Sequence, residues 1–378
     1  MADTRTILGG GIEIDLGALT RNYQALDRIS GQSLTAAVVK ADAYGTGLTA
    51  SARTLYHAGA RFFFVATPDE GVSLRRAVPD AHIFVLDGLL PRTARDYAAH
   101  RLMPVLSSLA QLGEWLEFCL AQSQAHPAAL HFDTGMNRLG IRMQEVEAVR
   151  EMLDRSGFAP QMIMTHLACA DTPRHEKNGM QVAFFQQIMR SFPDIPASIA
   201  NSAGLMTSRE LHLQMVRPGI ALYGGRAVSG RPNPMAQVVS MQVPILQVRS
   251  ARMDETVGYG ATYTLGRDSR LAVLALGYAD GFLRSLSSGG SQRRGGQVAI
   301  RGQIAPVLGR VSMDLVAVDV TDIDGRVEAG DLVEVLGQTV TADDQADAAG
   351  TISYEILTTL NGRFPRRYVN VPDGVEID

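Results

Sequence analysis

Two cysteines, one tryptophan, a near-balanced charge and no long apolar run are the main absences in this 378-residue chain. Cys119 and Cys169 cannot build a disulfide framework, so the fold must rest on its apolar core. Such sparse cysteine usage fits a reducing cytoplasm, where the residue serves as a small buried hydrophobe. The eight histidines are scattered and no Cys/His group has zinc spacing, so no metal is expected. No stretch is apolar for long enough to span a bilayer. The first ten residues lack the apolar centre of a signal peptide, and a cytoplasmic location is the expectation. A net charge of -4 offers no basic field for nucleic acid or a membrane surface.

What is present is ordinary soluble-protein composition, 46% hydrophobic and 20% charged, in a chain long enough for two cored domains. Through the first two-thirds, short apolar runs at 36–39, 62–66, 82–86, 104–106, 128–132, 161–165, 197–200 and 215–216 alternate with amphipathic stretches such as 111–120, 144–153 and 180–189. This βα rhythm with eight strand candidates predicts a (β/α)8 barrel, with a doubly wound sheet as the competing architecture. The pattern changes after Gly224-Gly225. Residues 229–234 read as a linker. Alternating runs at 238–248, 271–276, 298–301, 306–311, 315–320 and 332–336 predict a mostly β second domain with one helix around 354–360. The expected division is 1–232 for the barrel and 233–378 for the β domain. An early strand at 11–16 precedes the barrel and is free to pack on the second domain.

The unusual residues fall at strand ends, where barrel enzymes build their sites. Lys40 closes the run Thr35-Ala-Ala-Val-Val-Lys40 and leads into Ala41-Asp-Ala-Tyr44-Gly45-Thr-Gly47. Burial there favours the neutral amine, the form that attacks a carbonyl. The alternative is a lysine whose head reaches water. His166, Asn201-Ser202 and Arg217-Pro-Gly219-Ile220 also end strand candidates. Ser202 suits both an N-cap and a phosphate ligand at a helix start. Read singly, Arg138 is compatible with a surface loop and His166 with a satisfied core histidine.

The Lys40 segment closely resembles the pyridoxal-phosphate motif of the alanine racemases, and the resemblance covers almost the whole chain. It implies that Lys40 is the Schiff-base residue and that Tyr44 binds the cofactor phosphate. Leu130-His-Phe-Asp-Thr-Gly-Met-Asn-Arg138-Leu-Gly140 resembles the second signature. There Arg138 serves the cofactor's phenolic oxygen and the substrate carboxylate, which a planar guanidinium can do at once. Thr165-His166 resembles the strand end whose histidine flanks the cofactor ring. Ala200-Asn201-Ser202-Ala-Gly204 and Arg217-Pro-Gly219-Ile220 resemble the phosphate-binding blocks. The resemblance aims Arg217 at the pyridine nitrogen. An arginine can only donate, so that nitrogen stays unprotonated and transamination is suppressed.

Val257-Gly-Tyr-Gly-Ala-Thr-Tyr263-Thr264 resembles the block of the second catalytic base. The alternative for Tyr263 is a strand tyrosine packed in the β domain. By resemblance, Tyr263 and Met313, in Val311-Ser-Met313-Asp314, act across the interface of a homodimer, with Met313 touching the substrate carboxylate. Tyr354 matches an entrance tyrosine that reaches the phosphate. Tyr278, Arg284, Arg310 and Asp171 match other entrance positions. One position departs from the commoner pattern. His131 stands where many members carry a lysine, often carbamylated, and it cannot form that carbamate. It would orient Arg138 either as a neutral acceptor or, protonated, by holding an anion such as chloride.

The activity implied is alanine racemisation by a two-base mechanism, Lys40 and Tyr263, on a pyridoxal-phosphate aldimine. D-alanine would serve peptidoglycan synthesis, or the reaction alanine catabolism. A serine or broad-range racemase, a fold-related decarboxylase and a non-catalytic cofactor-binding barrel are the competing readings. The last is shorter and lacks the β domain.

Overall fold

The computed structural model describes residues 9–289, 295–360 and 362–377. Seven parallel strands follow chain order around one sheet: Ala37–Val38, Phe62–Val65, His82–Val85, Leu102–Leu106, Ala129–His131, Met162–Met164 and Ala197–Ser198. Met215–Val216 closes the curl. It pairs in parallel with Leu34–Thr35, and the Ala36 and Val38 amides donate to the Val216 and Pro218 carbonyls at 2.9 and 3.1 Å. On its other side the Gln214 and Arg217 amides donate to the Ala197 and Ala200 carbonyls at 3.2 and 2.9 Å. A doubly wound sheet would have two open edges. These bonds join the first strand to the last, so the architecture is the (β/α)8 barrel.

The strands are short because each is buried on both faces, which demands an almost continuous apolar run. Helices return the chain along the outside. Ser108 caps Leu109–Gln122, and Thr67 with Glu70 forms a capping box on Pro68–Ala77. No described helix is long and apolar enough to cross a membrane.

The second sheet has eight strands and is mostly antiparallel, built around the long strand Val239–Ala251. The early strand Gly11–Asp15 lies in this sheet. It pairs antiparallel with Val239–Ala251 and in parallel with Arg366–Val369. Three elements here have no counterpart in the sequence reading: the hairpin Thr256–Val257 with Tyr263–Thr264, the helix Ala342–Ala349 and the strand Arg366–Val369. The expected helix runs over Ser353–Thr358. Residues 229–234 are irregular but fastened. The Asn233 amide donates to the Gly224 carbonyl at 2.8 Å and to the Asp343 carboxylate at 3.1 Å. One apolar cluster continues from the barrel into the β sheet, with Ile12, Ile14, Val239 and Val243 packed in the same core as Phe63 and Phe64.

The last strand also reaches the barrel rim. The Arg366 Nε donates to the Gly45 carbonyl at 2.9 Å and its Nη2 to the Leu360 carbonyl at 3.1 Å. Charge-assisted bonds of this kind each contribute roughly 1.5–3 kcal/mol. Arg366→Ala should therefore lower the unfolding free energy by about 2 kcal/mol in urea titration. An unchanged midpoint would show that the β sheet does not help hold this loop.

Candidate active site

Lys40 follows the strand Ala37–Val38, and its neighbour Val39 is still paired, its amide donating to the Phe64 carbonyl at 2.9 Å. The chain then makes a left-handed turn. Ala41, Asp42, Ala43 and Tyr44 have φ of 54, 53, 53 and 55°. Left-handed geometry costs an L-residue about 1–2 kcal/mol, so several contacts must enforce four in succession. The Glu70 carboxylate accepts from the Ala41 amide at 2.6 Å and from the Ala66 amide at 2.8 Å. The Asp42 carboxylate accepts from the Leu48 amide at 2.7 Å. A Cβ on Gly45 would lie 2.3 Å from the Leu357 carbonyl oxygen, so only glycine fits there.

The turn aims Lys40 into a cavity of about 430 Å³ at the carboxyl ends of the barrel strands. Tyr44, Arg138, His166, Asn201, Ser202, Arg217, Gly219, Ile220 and Tyr354 line the same cavity, as do His131 and Asp87. One end is rich in hydroxyls. The Tyr44 ring stacks on Tyr223 with centroids 4.6 Å apart and lies 5.9 Å from the Tyr354 ring. The Ser202 hydroxyl accepts from the Gly219 and Ala221 amides at 2.9 and 3.3 Å. A Cβ on Gly219 would stand 2.2 Å from the Tyr44 hydroxyl oxygen, so the absence of a side chain creates this cradle. Asn201 caps the Ser202–Thr207 helix by accepting from the Gly204 amide at 3.0 Å.

The opposite end is cationic. Arg217 is buried, donates to the Thr165 carbonyl at 2.7 Å and to the Ser198 hydroxyl, and faces the Phe64 ring at 6.0 Å. No described carboxylate pairs with it. Burial pulls its pKa down from the ordinary arginine value to about 9, which still leaves it charged at neutral pH. Burial, reinforced by Arg217 and Arg138, holds His166 neutral well below the ordinary histidine range. His131 is pulled down to about 4 by burial and the same two guanidinium groups. Of the two alternatives for His131, this direction favours the neutral acceptor, and the ring shares the cavity wall with Arg138. The Lys40 amine is also pushed down, first by burial and then by Arg138, against the opposing pull of Glu70 and Asp87. An amine biased toward its nucleophilic form thus shares one cavity with a hydroxyl cradle and two guanidinium groups.

Other candidates lie elsewhere. Tyr263 sits in the β-domain hairpin beside Val257, Leu265 and Leu308 and does not line the cavity. Met313 and Tyr278 are exposed on the β domain. Their segments are tied together, the Tyr278 and Ala279 amides each donating at 3.0 Å to the Ser312 and Met313 carbonyls. Asp171 accepts from the Ser229 hydroxyl at 3.1 Å. Arg284 opens a short turn, and the Arg310 guanidinium lies against Gly260 in the hairpin loop. Sequence reasoning missed Asp87 and Glu70. Asp87 follows the strand His82–Val85 and precedes Gly88, the same strand-end signal that exposed Lys40. Glu70 carried the Thr67-x-x-Glu70 capping signature, but its reach to Ala41 depends on how two loops meet in space.

A carbonyl cofactor carrying a phosphate would need a nucleophilic amine, hydroxyl groups and guanidinium groups, and the lining fits pyridoxal phosphate. On this barrel, with an antiparallel β domain behind it, the class is that of the pyridoxal-phosphate-dependent amino-acid racemases. The alanine racemase N-terminal domain family matches residues 14–227 and the C-terminal domain family matches residues 238–368. An alanine racemase of Rhizobium meliloti is 45% identical over 365 residues, covering 95% of this chain and 96% of its own. A relative from Agrobacterium fabrum, named as a biosynthetic alanine racemase, is 44% identical over 369 residues, covering 96% of this chain and 94% of its own. The crystal structure of alanine racemase from Bartonella henselae with covalently bound pyridoxal phosphate superposes with a TM-score of 0.89 at 33% identity, covering 95% of this chain and 99% of that one. The chain belongs to the alanine racemase family.

The buried histidines make stability depend on pH. A histidine with a folded-state pKa depressed to about 4 takes up its proton less readily than the unfolded chain does. Unfolding free energy should therefore be flat above about pH 7 and fall as pH drops from roughly 6.5 toward 4. His166 acts in the same direction. His131→Asn should shrink that fall by up to roughly 3 kcal/mol, measured by urea unfolding at stepped pH. An identical pH slope in the variant would mean that His131 is not held neutral.

Proposed function

We propose that this chain is an alanine racemase that interconverts L- and D-alanine with pyridoxal phosphate, using Lys40 and Tyr263 as its two proton carriers. The observation that carries the reading is Lys40 itself, a depressed amine at a barrel strand end facing Arg138 and the hydroxyl cradle. Tyr44, Ser202, Tyr354 and the backbone amides of Gly219 and Ile220 would hold the phosphate. Arg138 would serve the phenolic oxygen and the substrate carboxylate. His166 and Asn201 would flank the ring, and Arg217 would face its nitrogen. When bound, the cofactor would supply an electron-withdrawing ring that makes the α-proton of the amino-acid substrate acidic.

Each protein group then has a defined task. Arg217 only donates and has no lone pair to accept with, so a ring nitrogen facing it would stay unprotonated and the ring a weaker electron sink. That favours return of the proton to the α-carbon over loss of the amino group. Lys40 carries a proton on one face of that carbon. Tyr263 lies outside the cavity of its own chain, so we assign the opposite face to Tyr263 of a second copy, with Met313 arriving on the same surface. Neutral His131, on the same cavity wall as Arg138, would orient it without a carbamate. A non-catalytic cofactor-binding role is disfavoured by the retained β domain, which carries Tyr263 and Met313.

Purified protein loaded with pyridoxal phosphate should absorb in the visible, and borohydride should fix the label on the peptide containing Lys40. A label on Lys177 or any other amine would refute the assignment. Tyr263→Phe should lose at least about a hundredfold in racemisation rate in both directions, the scale of a proton carrier, with cofactor binding intact. Mixing that variant with inactive Lys40→Ala should restore activity through mixed dimers in which one site holds both carriers. No recovery, with subunit exchange verified by mass, would argue for sites completed within one chain.

A further inference from the structure

Gln181 is fully buried on the helix Glu176–Ser191, far from Lys40 in sequence and absent from the cavity wall. Its side chain spends both ends on the loops that carry the site. The Nε2 donates to the His166 carbonyl at 2.9 Å and to the Thr134 hydroxyl at 3.2 Å. The Oε1 accepts from the Ala168 amide at 2.8 Å. Thr134 shares a hydrogen bond of 2.8 Å with the Thr165 hydroxyl, and the Thr165 carbonyl accepts from Arg217 at 2.7 Å. One amide thus fastens the loop leading to Arg138, the loop bearing His166, and, one residue on, the anchor of Arg217. From the same helix Asn178 holds the farther part of the His166 loop, donating to the Cys169 and Thr172 carbonyls at 3.0 and 3.1 Å, and Gln181 alone reaches both loops.

We infer that Gln181 is a positioning residue that sets Arg138 and His166 in register around the cofactor site. It touches neither substrate nor cofactor and acts through the two loops. The amide suits the task because it donates twice and accepts once in a dry place. A hydroxyl is too short to span the loops, and a carboxylate has no proton to give the His166 carbonyl. This inference rests on the proposed function, since it assigns the loops to cofactor and substrate binding. The chemistry of the joint leads to a distinctive substitution, Gln181→Glu. Burial favours the neutral carboxyl, which can donate to the His166 carbonyl while accepting from the Ala168 amide. Once ionised, the same group faces a carbonyl oxygen and the joint opens.

The test compares wild type, Gln181→Met and Gln181→Glu as purified holoenzymes. Readouts are the thermal midpoint, the dissociation constant for pyridoxal phosphate, and kcat and KM for alanine across pH 6 to 9. Gln181→Met keeps the volume and removes all three bonds. It should raise KM roughly tenfold or more and weaken cofactor binding, because small misplacements of binding groups cost up to about a hundredfold. Gln181→Glu should approach wild-type KM at the acid end of the range and lose ground as pH rises. Wild-type KM and cofactor affinity in folded Gln181→Met would overturn the inference. If that variant does not fold, a Gln181→Glu to wild-type ratio that is flat with pH overturns it instead. Absence of alanine racemisation by the wild type would refute the proposed function, while the cofactor-affinity comparison would still judge the joint.

Discussion

The site depends on a buried guanidinium held without a carboxylate. Removing a charge from water costs several kcal/mol unless polar groups replace the solvent. Arg217 receives that replacement from the Thr165 carbonyl, the Ser198 hydroxyl and the face of Phe64. Ser198 is itself anchored, donating to the Met215 carbonyl at 2.6 Å. Because these partners are neutral, the positive charge is not cancelled and its field reaches across the cavity. That field, added to burial, keeps His166 and His131 neutral and joins Arg138 in biasing the cavity toward anions. A carboxylate in place of Ser198 would cancel the charge, remove its share of the bias that adds to burial at both histidines and change the chemistry available to any ring seated there.

A second constraint is mechanical. Four successive left-handed residues after Lys40 are a strained conformation that persists only where the surroundings over-determine it. Glu70 holds the turn from the next barrel loop. Arg366 and the Leu357 carbonyl close on it from the C-terminal part of the same chain. The β sheet is therefore a structural part of the barrel's own rim, which explains why one core runs through both. The early strand Gly11–Asp15 helps, since its pairing with Arg366–Val369 brings the end of the chain back beside the barrel entrance.

These two constraints explain what could be read from the sequence. The barrel strands were legible because burial on both faces forces short apolar runs, and the site residues stood out as polar breaks at their ends. The strand Arg366–Val369 was not legible. Its burial pattern is intermediate and arginine-rich, and its partner lies at the other end of the chain. The hairpin around Tyr263 has two-residue strands, too short for any alternation to register. Gln181 and Glu70 were missed for a related reason. On their own helices they look like a polar position and a capping residue, and their work is done on loops that meet them only in the folded chain. Helical periodicity also argues against expecting a fully buried glutamine, because an amide in a core is tolerated only when its partners are all in place.

The remaining question is why Tyr263 should lie away from Lys40. All the strand ends of a barrel open on one side, and the groups they present approach a bound planar ring from the barrel rim. Lys40, His166 and Arg217 share that origin. In the proposed reaction a proton carrier is also needed on the opposite face of the α-carbon, a position that faces away from the rim. The polypeptide's own β domain is committed to buttressing the Lys40 turn from behind, with Tyr354 and Arg366 already packed there. Tyr263 and the exposed Tyr259, Tyr278 and Met313 of that domain are all absent from the lining of its own cavity. A second copy of the same domain is the economical source of the missing face. In the proposed dimer each β domain would serve twice, holding one lysine in place from within its own chain and supplying the opposing phenol to another.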